Sequence, residues 1–253
     1  MTIISVSGVW AGATTIETAW NCQEVLASNG WKRQTIKEEL QRIGYFGNVP
    51  ASYKAQPIAA HFELHIEQGP ILQDEARKIG LVTGGQAFQW FEVEVRGKDS
   101  HAGTTPPSAR KDAIFAAAKT IVASNEIAKD AGGLVTTGVF QVEPGSFNTV
   151  AHTVRFTLGV RHPSDQILSE MIDQCRRVFS EIAEEHCVGG KDIQLKRTAG
   201  NSAVEWDQDC ISVVEQSAEQ VCNQLVSSKG PGVKLWKQLV SGAGHDSCQV
   251  SRK

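Results

Sequence analysis

The chain has 253 residues and a formal net charge of −3, with 25 Lys plus Arg against 28 Asp plus Glu. That near-balance leaves no basic footprint for nucleic acid, and the length allows one large domain or two small ones with ample core. Six cysteines without a CxxC spacing read as reduced thiols of an intracellular, cytoplasmic protein. No Lys or Arg precedes Lys32 to start a secretory signal, and no apolar run is long enough to cross a bilayer, so no membrane association is expected.

The elements follow in chain order. Thr15 caps a short helix running to about Cys22. Thr35 and Glu38 form a capping box for a helix over Ile36–Ile43, closed by Gly44. A loop with Gly47 and Pro50 leads to residues 61–70, where strict alternation predicts a strand. Gly84-Gly85 then punctuates the chain and closes a first segment, residues 1–84. Phe88–Val95 alternates as a strand, and Ala109–Asp130 reads as an Ala-rich helix stopped by Gly132-Gly133. Leu134–Val142 and Val154–Arg161 read as two strands joined by a loop with Pro144 and Gly145. Ser164 caps a helix to about Cys187, and Asp192–Thr198 is a last strand. The order β-α-β-β-α-β is the split motif of ferredoxin-like domains and sets off residues 85–200 as an α+β unit. A helix over Asp207–Val226 and a Gly-rich turn at 241–244 belong to a third segment, residues 201–253. The tryptophans (Trp10, Trp20, Trp31, Trp90, Trp206, Trp236) are scattered and read as core.

Two clusters carry chemistry. In His61-Phe62-Glu63-Leu64-His65-Ile66-Glu67-Gln68-Gly69-Pro70 the alternation puts His61, Glu63, His65 and Glu67 on one face and Phe62, Leu64 and Ile66 on the other. Such a polar face is either solvated or holds something that wants N and O ligands, and imidazole and carboxylate are the ligands of catalytic zinc. The second cluster, Lys98-Asp99-Ser100-His101-Ala102-Gly103-Thr104-Thr105-Pro106, sits between a strand and a long helix.

These stretches are joined by Ser7-Gly8-Val9-Trp10-Ala11-Gly12, Asn148, Val160-Arg161-His162-Pro163 and Ser241-Gly242-Ala243-Gly244-His245-Asp246. Their order resembles that of the di-zinc amidohydrolases related to aminoacylases and carboxypeptidases. The chain is most similar to the branch that cleaves N-carbamoyl groups: N-carbamoyl-L-amino-acid hydrolases, β-ureidopropionases and allantoate amidohydrolases. The resemblance implies an α/β fold, with an incomplete zinc-hydrolase catalytic domain (1–84 and 201–253) and an inserted ferredoxin-like lid and dimerisation domain (85–200). It implies a small-molecule ureido acid substrate, a homodimer joined through the lid, and two zinc ions per intact subunit, with manganese or another divalent metal as alternatives.

The resemblance also implies roles for single residues. His65 is the one family metal ligand that maps onto this sequence; the other ligands and the general base belong to segments the match does not include. The chain therefore reads as the middle of an enzyme, inactive by itself. Gln68 offers one acceptor and one donor, the complement of a carbamoyl group. His101 is implied as the donor that stabilises the oxyanion of the tetrahedral intermediate. Arg161 and Asn148 are implied to hold the substrate carboxylate, which a planar guanidinium can clamp bidentately. Gly244 and His245 are implied to hold the substrate, with Asp246 fixing the imidazole tautomer. Glu63 and Glu67 are read as groups that orient His65 or as solvated carboxylates. The rival reading is a non-catalytic dimerisation and ligand-binding module.

Overall fold

A computed structural model describes residues 5–24, 33–226 and 234–251; Trp31 lies outside them. The chain falls into two compact units, one formed by residues up to Gly85 and from Val204 onward, the other by Gln86–Ala203.

The first unit begins with short helices α1 (Ser5–Trp10), α2 (Ile16–Trp20), α3 (Ile36–Arg42) and α4 (Ile71–Asp74), followed by strand β1 (Ile79–Gly85). Local chemistry sets these boundaries. The Thr15 hydroxyl accepts from the Thr18 amide, and Thr35 with Glu38 closes a full capping box.

The second unit contains β2 (Ala87–Arg96), β3 (Ser100–His101), α5 (Ala113–Ala131), β4 (Leu134–Thr136), β5 (Phe140–Glu143), β6 (Thr149–Val150), β7 (Thr153–His162), α6 (Asp165–His186) and β8 (Ile193–Asn201). The chain then returns to the first unit with β9 (Val204–Glu205), α7 (Gln208–Val226), β10 (Trp236–Ser241) and α8 (Ser247–Val250).

In the first unit β1 pairs in parallel with β10 and antiparallel with β9. A Cβ on Gly84 would come within 2.3 Å of the Val204 carbonyl oxygen, so only glycine lets β9 approach. Leu81, Ile211, Ala218, Cys222, Leu235 and Trp236 form the core between this sheet and α7. Trp236 is buried, whereas Trp10, Trp20, Trp90 and Trp206 are half-buried, Trp206 packing against the core around Trp236.

The second unit is the βαββαβ domain. Its antiparallel sheet runs β4-β7-β2-β8, the ferredoxin-like order, with β5 also on β7. Phe91, Val93 and Val95 of β2 and Val154, Phe156, Leu158 and Val160 of β7 point to one face and are buried with α5 and α6. Each such side chain contributes about 1.5–3 kcal/mol of burial. The opposite face carries an ion-pair cluster besides the Phe88 and Trp90 rings: Arg155 bonds Glu94 at 2.8 Å and Glu143 at 2.7 Å.

Three boundaries differ from expectation. The strand expected over Leu134–Val142 is two short strands, β4 and β5, both on β7, because residues 137–139 leave the ladder; there the Thr157 hydroxyl accepts from the Gly138 and Val139 amides. The helix expected from Ala109 starts at Ala113, because the Asp112 carboxylate caps it by accepting from the Ile114 and Phe115 amides. The strand expected within residues 61–70 does not form, and among the described residues no strand pairs with this segment. Alternation fixes which way side chains point, but a strand also needs a neighbour for its N–H and C=O groups. Phe62, Leu64 and Ile66 are correspondingly exposed.

Candidate functional site

The residues singled out in the sequence fall into two groups, one in each unit. In the first unit the 61–67 segment still brings two of its alternate side chains together with His245. Glu63, His65 and His245 bring one ligand atom each to within 4.8 Å of one another. His65 and His245 meet edge to face, ring centroids 4.7 Å apart. His245 Nδ1 lies 3.5 Å from a Glu63 oxygen, and His61 Nε2 lies 3.9 Å from the other.

The surroundings orient each group. His65 Nδ1 is 2.6 Å from the Ile66 carbonyl oxygen. A carbonyl can only accept, so Nδ1 carries the proton and Nε2 presents its lone pair. The buried His245 has its Nε2 at 2.5 Å from Ser241 Oγ, which also accepts from the Ala243 amide. Glu63 accepts from both the hydroxyl and the amide of Ser247, at 2.7 and 3.1 Å. Burial pushes the Glu63 carboxyl up, but the two Ser247 bonds, with His245 and His61, outweigh it and hold the group below the usual carboxylate range.

Several side chains do something other than expected. Glu67 turns away from the cluster and accepts from the Ile71 and Leu72 amides, capping α4. Asp246 bonds Ser7 at 2.6 Å; the ring partners of His245 are Ser241 and Glu63. Ser241 and Ser247, four residues before and two after His245, are partners that the sequence reading does not assign, because nothing in local pattern sets them apart from other serines. Gln68 lies exposed at the turn after the segment, with a left-handed φ of 55°. Such strain in a non-glycine residue costs on the order of 1–3 kcal/mol and gathers at functional positions. Gly244 is exposed beside the buried His245.

In the second unit β3 pairs with β6, setting His101 opposite Thr149, and the Asn148 carbonyl accepts from the Ala102 amide. His101 and Asn148 are thereby adjacent and both are exposed. Arg161 is not with them. It pairs with Phe88 near the far end of β7, its guanidinium 5.6 Å from the Phe88 ring. The β3/β6 pair hangs from the other end, past Arg96 and Thr153. Eight residues of extended strand, roughly 26 Å, separate Arg161 from Thr153.

Residues 83–187 match the model of the peptidase dimerisation domain. The chain is 31% identical over 248 residues to an N-carbamoyl-L-amino-acid amidohydrolase of Rhizobium meliloti, covering 97% of this chain and 54% of that protein. It is 28% identical over 220 residues to the allantoate amidohydrolase of Escherichia coli K12, covering 85% of this chain and 50% of that one. The crystal structure of a hydantoinase/carbamoylase family amidase from Burkholderia multivorans superposes over all of this chain and 56% of that one, at 34% identity and a TM-score of 0.81. The chain thus spans about half the length of the curated relatives it matches. The peptidase dimerisation domain thus lies in the middle of the chain, and nearly the whole chain is similar to hydantoinase/carbamoylase family amidases and N-carbamoyl-L-amino-acid amidohydrolases.

Proposed function

We propose that this chain supplies the substrate-handling part of a metal-dependent amidohydrolase that cleaves the carbamoyl C–N bond of an N-carbamoyl amino acid, a β-ureido acid or an allantoate-like ureide. The observation that carries the reading is the Glu63–His65–His245 cluster on the family's motifs. Two imidazoles and a carboxylate are a donor set that suits catalytic zinc, and the His65 tautomer leaves Nε2 ready to ligate. His65 would hold the metal, with Glu63 and His245 beside it; manganese or another divalent ion also fits such donors. When bound, the metal would activate water and polarise the scissile carbonyl.

The remaining roles belong to the chain itself. Gln68 pairs its amide with the carbamoyl end. His101 donates to the oxygen on which negative charge develops. Arg161 grips the carboxylate with its planar fork, Asn148 adds a hydrogen bond, and Gly244 and His245 line the substrate.

The spacing along β7 bears on assembly. A carbamoyl amino acid is about 8 Å long by standard bond lengths. It is far too short to reach both Arg161 and the His101–Asn148 pair of one domain. Two copies joined through the dimerisation domain would let each substrate use Arg161 of one protomer and His101 and Asn148 of its partner. The protein is therefore proposed to work as a homodimer.

Cation binding by the 253-residue chain tests the metal assignment. Calorimetric titration with zinc should show one ion per chain, weakened at least about tenfold in His65→Ala and Glu63→Gln. Binding that ignores both substitutions would remove the cluster from the proposal. With three donors in one cluster among the described residues, the chain alone should release no ammonia from carbamoyl substrates, because a single weakly held ion does not assemble a bridged two-metal site.

A further inference from the structure

The loop after β3 is built around the His101 ring. The Gly103 and Thr104 amides both donate to His101 Nδ1, each at 3.1 Å. An N–H can only donate, so in the neutral ring Nδ1 is the acceptor and the proton sits on Nε2. A Cβ on Gly103 would come within 3.3 Å of His101 Cε1, so any larger residue would press on the ring.

The turn is itself held. The Thr105 amide donates to the His101 carbonyl at 3.1 Å, and the Ala102 amide to the Asn148 carbonyl at 2.8 Å. Arg110 closes it from the far side: its Nε donates to the Thr105 carbonyl at 2.9 Å and a terminal nitrogen to the Ala102 carbonyl. One rigid fork thus bridges both ends of the four residues that cradle the imidazole.

We propose that the Arg110-clamped turn Ala102–Thr105 is a tautomer lock, holding His101 with Nδ1 occupied and Nε2–H facing outward as a fixed donor. Arg110 is a positioning residue that acts through the turn. Nothing in the ring alone fixes this: an exposed histidine rotates and exchanges between both neutral tautomers. Two amides on Nδ1 remove that freedom, so a substrate oxygen meets a donor at Nε2 and never a lone pair. The inference rests on the proposed oxyanion role of His101 for its consequence, and on the loop geometry alone for its existence.

Ring nitrogen NMR of the ¹⁵N-histidine-labelled 253-residue chain tests it, at a pH where the ring nitrogens have stopped shifting. His101 is assigned by the signals missing from His101→Gln. The ratio of the Nε2–H to the Nδ1–H form should exceed that of free histidine in the same buffer by at least about fivefold, the weight of one hydrogen bond. Thr104→Pro, which deletes one amide donor, should bring the ratio back toward free histidine, while Thr104→Ala, which keeps it, should not. Arg110→Gln should loosen the ratio in the same direction without touching the ring, and decides the matter if Thr104→Pro does not fold. A wild-type ratio equal to that of free histidine, or a proton on Nδ1, overturns the lock. A lock that is present while His101→Ala leaves turnover unchanged in an active family member would instead sink the oxyanion role and spare the lock.

Discussion

The separation of Arg161 from His101 along β7 makes a prediction that can be worked through in numbers. If one substrate needs both, no single domain of this shape can supply them: the strand between spans roughly 26 Å, about three times the length of a carbamoyl amino acid. Two variants of an active family member would be made, one with the equivalent of Arg161→Met and one with the equivalent of His101→Ala. Each homodimer has a lesion in every site and should be nearly dead. Unfolded together in equal amounts and refolded, half the dimers pair one variant with the other. In those, one site carries both lesions and the other none. About one site in four across the mixture is then intact, and ammonia release should recover to about a quarter of the wild-type rate. A mixture as inactive as its components, with heterodimers shown present by mass spectrometry, would refute the shared arrangement.

Three further outcomes follow from the same geometry. In an active family member, Arg161→Lys at the equivalent position should lower kcat/KM for the acid by roughly ten- to a hundredfold, since the charge stays but one charge-assisted hydrogen bond is lost; a change under twofold would assign Arg161 to the surface. Burial pushes the thiols of Cys175 and Cys187 up to about 11, so both should stay unlabelled by a thiol reagent in the folded chain at neutral pH while half-exposed Cys22 reacts, and early labelling of Cys175 would contradict the packed lid core. Hydrogen bonds from Arg155 and then Arg96 hold the Glu94 carboxyl below its ordinary 4.5. A depressed folded value means the stabilisation is full above the unfolded value and is lost as pH falls through the folded one, so the wild-type lid should lose more urea resistance between pH 7 and pH 3 than Glu94→Gln does; equal losses would remove Glu94 from the acid response.

The lid was legible because its signals are local and agree with one another. Ser164 and Gly132 mark helix ends, and β2 and β7 alternate cleanly because one face is buried and the other carries Glu94 and Arg155. The 61–67 segment misled for a physical reason. Its alternation is real, and it does gather Glu63 and His65, but pairing is a property of the neighbour, which sequence periodicity does not report. Glu67 carries the same periodic signal as Glu63 yet caps α4, because the amides of Ile71 and Leu72 lie within its reach. The Arg110 clamp went unnoticed because its partners are backbone carbonyls, which every residue has and no motif displays. Long-range partners such as Ser247 with Glu63, 184 positions apart, depend on the fold and leave no mark on local pattern.

The central claim is that these residues handle a carbamoyl substrate beside a metal. The most direct measurement replaces the matching 248-residue segment of the Rhizobium meliloti N-carbamoyl-L-amino-acid amidohydrolase with this one and follows ammonia release from N-carbamoyl amino acids, N-carbamoyl-β-alanine and allantoate. The account predicts metal-dependent turnover of at least one of the three, abolished by His65→Ala and carried by Arg161 and His101. A chimera that folds, dimerises and binds zinc yet releases ammonia from none of them would contradict it.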